Sequence, residues 1–251
     1  MSDLNNLLPF GLLATRRWLL SKGVSQHLLD NKLKSSQFVA LARGVFARKG
    51  VPVGWQGLLA SLNRESNIPV YVGGLSALEI SGLAHYVSMR QSYCFYSSNK
   101  QPSWLARLDT DFNLQWFSTK RLWNDALFNV DRTLTEIVWQ SNLPPYKQAC
   151  PEQAYFEILF NLPDLISFEH ADQLMQGLVN LSPRKLDLLL KHCNSIRVKR
   201  LFFWYAKRHN HSWFSKLNSL DYDLGSGKRV IAKSGKLDNE FLITVPKEMA
   251  L

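Results

Sequence analysis

The sequence predicts an α+β chain, and three features predict it. Short apolar stretches at helical spacing, entered through Thr or Ser, open the chain. Segments that alternate apolar and polar residues recur in its first half and at its end, and the pattern from Pro151 onward is mainly helical. A hydrophobic share of 46% with 20% charged residues suits a folded core, and no apolar run approaches the roughly 20 residues that cross a bilayer. The first residues carry Asp3 and no basic run ahead of a long apolar core, so a cytoplasmic protein is expected. Cys94, Cys150 and Cys193 are odd in number, widely spaced and in no C-x-x-C pair. They point to small buried apolar residues and not to a disulfide framework or a zinc site.

The N-terminal elements follow in order. Thr15 is placed to N-cap a short helix with Trp18 and Leu19 facing inward, and Gly23 stands where a left-handed residue ends it. Val24 can plug the corner, Ser25 can cap a second helix, and Leu28, Leu29 and Leu33 recur at helical spacing. The Gly-Val-Ser connection suits two helices packed at a steep angle. Phe38 to Leu41 and Val45 to Ala47, around Ala42-Arg43-Gly44, predict a hairpin with a basic tip. Helix, helix and hairpin within residues 1–50 make a winged helix-turn-helix. Arg16, Arg17, Lys32, Lys34 and Arg43 would then contact phosphates, while Gln26, His27 and Asn31 reach base edges. Asp30, on the same helix, has to avoid phosphates. The competing reading is a helical hairpin and a β-hairpin packed in a core with no DNA role.

Beyond a Gly/Pro connector, Trp55 to Arg64 reads as a helix, "IPVYVGG" as a strand and Leu75 to Ile80 as a helix. Residues 54–92 thus extend an N-terminal domain of residues 1–92, followed by a mixed α/β C-terminal domain over 93–251. There "SYCFYSS" and "NLQWFST" read as strands. Glu152 to Phe160, Phe168 to Leu178 and Arg184 to His192 read as helices, the last entered by Ser182-Pro183, and Ser195 caps one more. "KRVIAKSGKLDNEFLITV" predicts a terminal hairpin with Ser234-Gly235 at its tip.

The net charge of +10 is unevenly spread. Residues 1–50 hold eight Lys/Arg against two Asp/Glu and residues 184–236 hold thirteen against three, while residues 51–183 hold eight against twelve. Two basic blocks around an acidic middle favour localised surfaces for a polyanion, nucleic acid first. In the second block, the helix after Ser195 sets Val198, Leu201, Phe202 and Tyr205 on one face and Arg197, Arg200, Lys207 and Arg208 elsewhere. That basic face is readable as a second DNA surface, a surface for an acidic partner, or a solvated face.

Catalytic patterns are weak. "GGLSALEISGL" fits neither G-x-G-x-x-G nor a Walker spacing, and in "GSGKR" Arg229 stands where a Ser or Thr would hold magnesium. No Glu-x-Lys occurs, and no G-x-S-x-G elbow. Asp221 and Asp223, expected on one strand face, suit turn and strand-end hydrogen bonds, and His209 and His211 read as surface residues after a helix. No catalytic residue, metal ligand or cofactor is assigned.

"LLATRRWLLSKGVSQHLLDNKLKSSQFVALARGVFAR", "VYVGGLSALEISGLAHYV" and the region from "LSPRKLDLLLKHC" to "NEFLITVP" resemble the AbiEi antitoxins of bacterial abortive-infection toxin–antitoxin pairs. "SIRVKRLFFWYA" and "DLGSGKRVI" carry most of that resemblance. It implies a non-enzymatic, DNA-binding repressor of its own operon whose C-terminal domain counteracts a nucleotidyltransferase-like toxin encoded alongside. Its DNA-facing residues would be the exposed positions of Ser25 to Ser35 and the Arg43 wing, its partner double-stranded operator DNA, with direct toxin contact left open. A DNA-binding regulator unrelated to a toxin, and a nucleic-acid-processing enzyme, are the alternatives.

Overall fold

The computed structural model describes residues 4–84, 92–130 and 132–250. Among them no helix is long and apolar enough to cross a membrane. The chain is α+β and forms two compact units, one of residues 1–72, 88–118 and 136–148, the other of residues 73–87, 119–135 and 149–251.

The first unit begins with α1 (Leu4–Leu7), β1 (Leu13–Thr15), α2 (Arg16–Ser21), α3 (Gln26–Lys34), β2 (Phe38–Ala42) and β3 (Val45–Arg48). Thr15 accepts the Trp18 N–H and Ser25 accepts the Leu28 N–H, so each helix has one of its orphan first-turn donors satisfied by its cap. Gly23, at φ +84°, turns the chain between them in a conformation costly for any residue with a Cβ. β3 lies between β1 and β2, antiparallel to both. Leu4, Leu8, Ala14, Leu19, Val24, Leu29, Phe38 and Phe46 bury together, with Trp18 and Leu33 packed alongside. Leu28 departs from expectation: it is 37% exposed, because α3 turns only its Leu29–Leu33 side inward.

α4 (Trp55–Glu65) sets Leu58, Leu59 and Leu62 into a core shared with Val72, Phe95 and Tyr146. Those three belong to β4 (Tyr71–Val72), β5 (Ser92–Ser97) and β8 (Tyr146–Ala149) of a five-stranded sheet. β6 (Asn113–Ser118) and β7 (Leu134–Ile137) complete it, in the order β6-β5-β4-β8-β7. β4 pairs antiparallel with β5 and parallel with β8, and β5 runs parallel to β6. Compactness therefore does not follow a single cut after residue 92. Such a cut separates α4 from Phe95 and Tyr146, two members of its own core.

The end of α4 fastens the N-terminal elements. Arg64 donates to the carbonyls of Leu7 (2.6 Å) and Leu13 (2.9 Å), with its guanidinium 4.2 Å from the centre of the Trp18 ring. Glu65 accepts the Thr15 N–H at 2.8 Å and the Thr15 hydroxyl at 2.6 Å. Burial lowers the Arg64 pKa and raises that of Glu65, the Thr15 hydrogen bonds opposing the latter shift. Arg64→Met is expected to lower unfolding stability by about 2–3 kcal/mol, since two part-buried carbonyls lose a charged donor. Chemical denaturation measures this, and a loss under about 0.5 kcal/mol would reduce the clamp to a surface contact.

The second unit contains α5 (Gly74–Ile80), α6 (Pro151–Phe160), α7 (Phe168–Gly177), α8 (Pro183–His192) and α9 (Ile196–His209). Ser182 and Ser195 cap α8 and α9 as expected. α6 is buried from Glu152 to Leu159 and α9 from Val198 to Ala206. Phe156 and Phe202 stack at 4.7 Å between them, and the Tyr155 and Tyr205 hydroxyls donate to the Ala171 and Phe168 carbonyls at 3.0 Å. In "GGLSALEISGL" the Gly74 N–H donates to buried Glu157 at 2.8 Å.

Three expectations for this unit are corrected. The terminal hairpin is β9 (Lys236–Asp238) against β10 (Ile243–Val245), so its tip lies at residues 239–242 and Ser234-Gly235 is a turn ahead of it. Arg229 instead bridges Ile243 in parallel. His209 and His211 are not free surface residues, since they meet Asp172 and the Met175 carbonyl, each at 2.9 Å. Asp221 ends a short 3₁₀ turn, and Asp223 accepts the Gly225 N–H at 2.7 Å, so neither lies on a strand.

Candidate nucleic-acid interface

α3 carries the solvent face singled out in the sequence. Gln26, His27, Asn31 and Lys34 are exposed on it, and at about 100° per residue they share one arc with Asp30. Asn31 Nδ2 meets His27 Nδ1 at 3.3 Å, joining the two side chains nearest one end of that arc. Lys32 falls about 100° beyond Asn31, off this face. It is only partly exposed and donates to Gln37 Oε1 at 2.7 Å.

The acid on the helix is neutralised from within. Arg16 Nη1 lies 3.4 Å from Asp30 Oδ1, and the Arg16 guanidinium also sits 5.2 Å from the Phe46 ring centre. Arg16 therefore ties α2 to α3 and is committed to Asp30, whereas its neighbour Arg17 is exposed. The Arg16 N–H donates to the Gly44 carbonyl at 2.7 Å, drawing the hairpin tip to the start of α2. Gly44, at φ +75°, makes that tip turn, and exposed Arg43 stands on it. Among the described residues Arg17, Gln26, Lys34 and Arg43 have no side-chain partner. The arrangement offers three uncommitted cations and a polar helical surface beside them, which suits phosphate contacts with adjacent base-edge contacts.

The basic residues of α9 are arranged differently from the sequence reading. Arg200 is 2% exposed, and its guanidinium donates to the carbonyls of Leu224, Gly225, Gly227 and Leu242 at 2.6–3.2 Å. It cannot belong to a surface for DNA or a toxin. The glycines of "GSGKR" curve carbonyls around an arginine and not N–H groups around a phosphate, with Gly225 and Gly227 at φ +62° and +75°. Arg208 pairs with Asp172 at 3.1 Å and donates to the Met249 carbonyl at 2.7 Å. Lys207 is exposed and paired with Glu240, and half-buried Arg197 donates to the Phe160 carbonyl. α9 is a central helix, so most of its cations hold the unit together. Sequence reasoning also missed Lys199, only 6% exposed, and the convergence of Arg121 and Arg229 with Arg197 on one open cavity. No local spacing joins those three segments.

Burial pushes the Cys193 thiol up to about 12 and raises Cys150 as well, so neither is a thiolate at neutral pH. Among the described residues no group of three or more His, Cys, Asp or Glu is placed to hold a metal ion.

Comparison with known proteins assigns the chain. Residues 1–89 match the N-terminal domain described as "Transcriptional regulator, AbiEi antitoxin N-terminal domain". Residues 91–246 match "Transcriptional regulator, AbiEi antitoxin, Type IV TA system". Both matches are to regulators of transcription. The chain belongs to the AbiEi antitoxin family of type IV toxin–antitoxin systems. The crystal structure of the RV2827C protein from Mycobacterium tuberculosis is similar in fold, with a TM-score of 0.55 at 14% identity, over 92% of this chain and 85% of that one. No curated protein sequence matches the chain.

Proposed function

We propose that residues 1–50 act as a winged helix-turn-helix that occupies operator DNA and represses the protein's own operon. The C-terminal domain, residues 93–251, counteracts a nucleotidyltransferase-like toxin encoded alongside, and the protein works in the cytoplasm by binding and not by catalysis. The observation that carries the DNA reading is the face of α3, where Gln26, His27, Asn31 and Lys34 stand clear while Arg16 cancels Asp30. The element order helix, strand, helix, helix, hairpin and the sheet order β1-β3-β2 support it, because a recognition helix followed by a wing needs that connection. DNA recognition lies within residues 1–92 and toxin control within 93–251; two family models that meet near residue 90 support dividing the chain there.

The full chain tests this best, because α4 shares its core with strands beyond residue 92. The protein should bind DNA from upstream of its own gene more tightly than a scrambled duplex. The log–log slope with salt should be negative, at about −0.9 per neutralised phosphate. Equal affinity for the two duplexes, or binding that ignores salt, would sink the repressor reading. For the second half, expression of the adjacent nucleotidyltransferase-like gene should arrest growth and co-expression of this chain should restore it. Arrest that persists would remove toxin control from the proposal.

A further inference from the structure

The second unit holds, at the start of α9, an open cavity of about 460 Å³ whose lining includes Arg121, Arg197 and Arg229 and no carboxylate. The three guanidinium groups come from three segments far apart in the chain. Among the described residues the Arg121 and Arg229 side chains have no hydrogen-bond or ion-pair partner. Arg197 is fixed by its bond to the Phe160 carbonyl and lies 5.9 Å from that ring's centre. Asp164 acts on Arg197 from outside the lining. Arg229 also feels buried Arg200, whose pKa it lowers behind desolvation while Asp223 opposes that shift, so a further like charge stands close by with one carboxylate set against it.

Like charges gathered in one concavity repel unless an anion joins them, and their summed field concentrates anions there. Ile196 and Arg197, the first two residues of α9, line the same cavity, and their N–H groups have no acceptor among the described residues. They add a partial positive charge to the arginine set. Arginine forks match phosphate oxygens two at a time, so three of them around one cavity favour a group with several oxygens and more than one negative charge.

We infer that this cavity takes a multiply charged phosphate, the di- or triphosphate of a small molecule. A phosphodiester backbone presents one charge per phosphate and would leave the set undercompensated. The site shares no residue with the α3 face, so its fate is separable from that of the DNA reading.

Calorimetric titration of the full chain at fixed ionic strength tests the inference, with inorganic pyrophosphate and ATP as probes and adenosine and sulfate as controls. Pyrophosphate and ATP should saturate a single site, adenosine should give no heat, and sulfate should bind more weakly. R121Q/R229Q should weaken both phosphates by about a hundredfold or more, the loss expected for two charged hydrogen-bonding partners. Its melting temperature and its affinity for upstream DNA should stay unchanged. The inference fails if neither phosphate binds, if sulfate binds as tightly, or if the folded double variant binds as the parent does. It also fails if a single-stranded oligonucleotide matches pyrophosphate per phosphate and loses equally in the variant, since the cavity then reads a nucleic-acid backbone. Should the double variant melt early, Arg121→Gln alone decides. That side chain has no described partner to lose, and undiminished ATP binding would overturn the site.

Discussion

Arg200→Met is expected to destabilise the C-terminal unit by about 3 kcal/mol or more, in the range seen when one partner of a buried charged network is removed. Arg200 Nε reaches the Leu224 carbonyl at 2.6 Å, Nη1 those of Gly227 and Leu242 at 2.7 and 3.2 Å, and Nη2 that of Gly225 at 3.0 Å. Methionine keeps the stem and removes every donor, so four carbonyls lose their charged partner. Arg200→Lys should recover little, because one ammonium cannot direct bonds along the diverging lines of a planar fork. Equilibrium denaturation measures both variants. A loss under about 1 kcal/mol for the methionine variant would mean that water replaces the guanidinium and that the 224–227 loop folds without it.

The second large effect separates DNA positioning from DNA reading. Arg17→Ala with Arg43→Ala should weaken binding to upstream and random duplexes alike. The salt slope should become shallower by about 1.8, two phosphates at roughly 0.9 each. Asn31→Ala should cost about 1–3 kcal/mol on upstream DNA and little on random DNA, the signature of a bidentate contact with a base edge. Anisotropy titrations from low to moderate salt give both quantities. If Asn31→Ala weakens both duplexes equally, that residue touches only backbone. If the arginine pair leaves the slope unaltered, phosphate contacts lie elsewhere on the module.

What could be foreseen divides along physical lines. Caps and turns are local chemistry, so Thr15, Ser25, Gly23 and Gly44 announced themselves; α4 and α8 begin and end, and α9 begins, close to where their patterns predict. β7 and β8 are four residues each, β8 directly after Pro144-Pro145, and are too short to show alternation. Arg200 on α9 was misplaced for another reason. Periodicity treats a charged residue as solvent-facing, yet the carbonyls that bury Arg200 arrive from residues 224–242, and no pattern within a helix records that. On α3 the exposed set was legible, but two of the expected phosphate contacts, Arg16 on α2 and Lys32 on α3, are held by Asp30 and Gln37. Such pairings depend on how neighbouring elements pack.

The fastening of β1 and α2 by Arg64 and Glu65 bears on how this module can be reused. Grafting residues 1–48 onto another scaffold would carry the α3 face away from the side chains that hold Leu7, Leu13 and Thr15 in place. A transplant must therefore reach past Glu65. It must also supply an apolar surface for Leu58, Leu59 and Leu62, or the grafted segment will arrive with an uncovered core and an unanchored first strand.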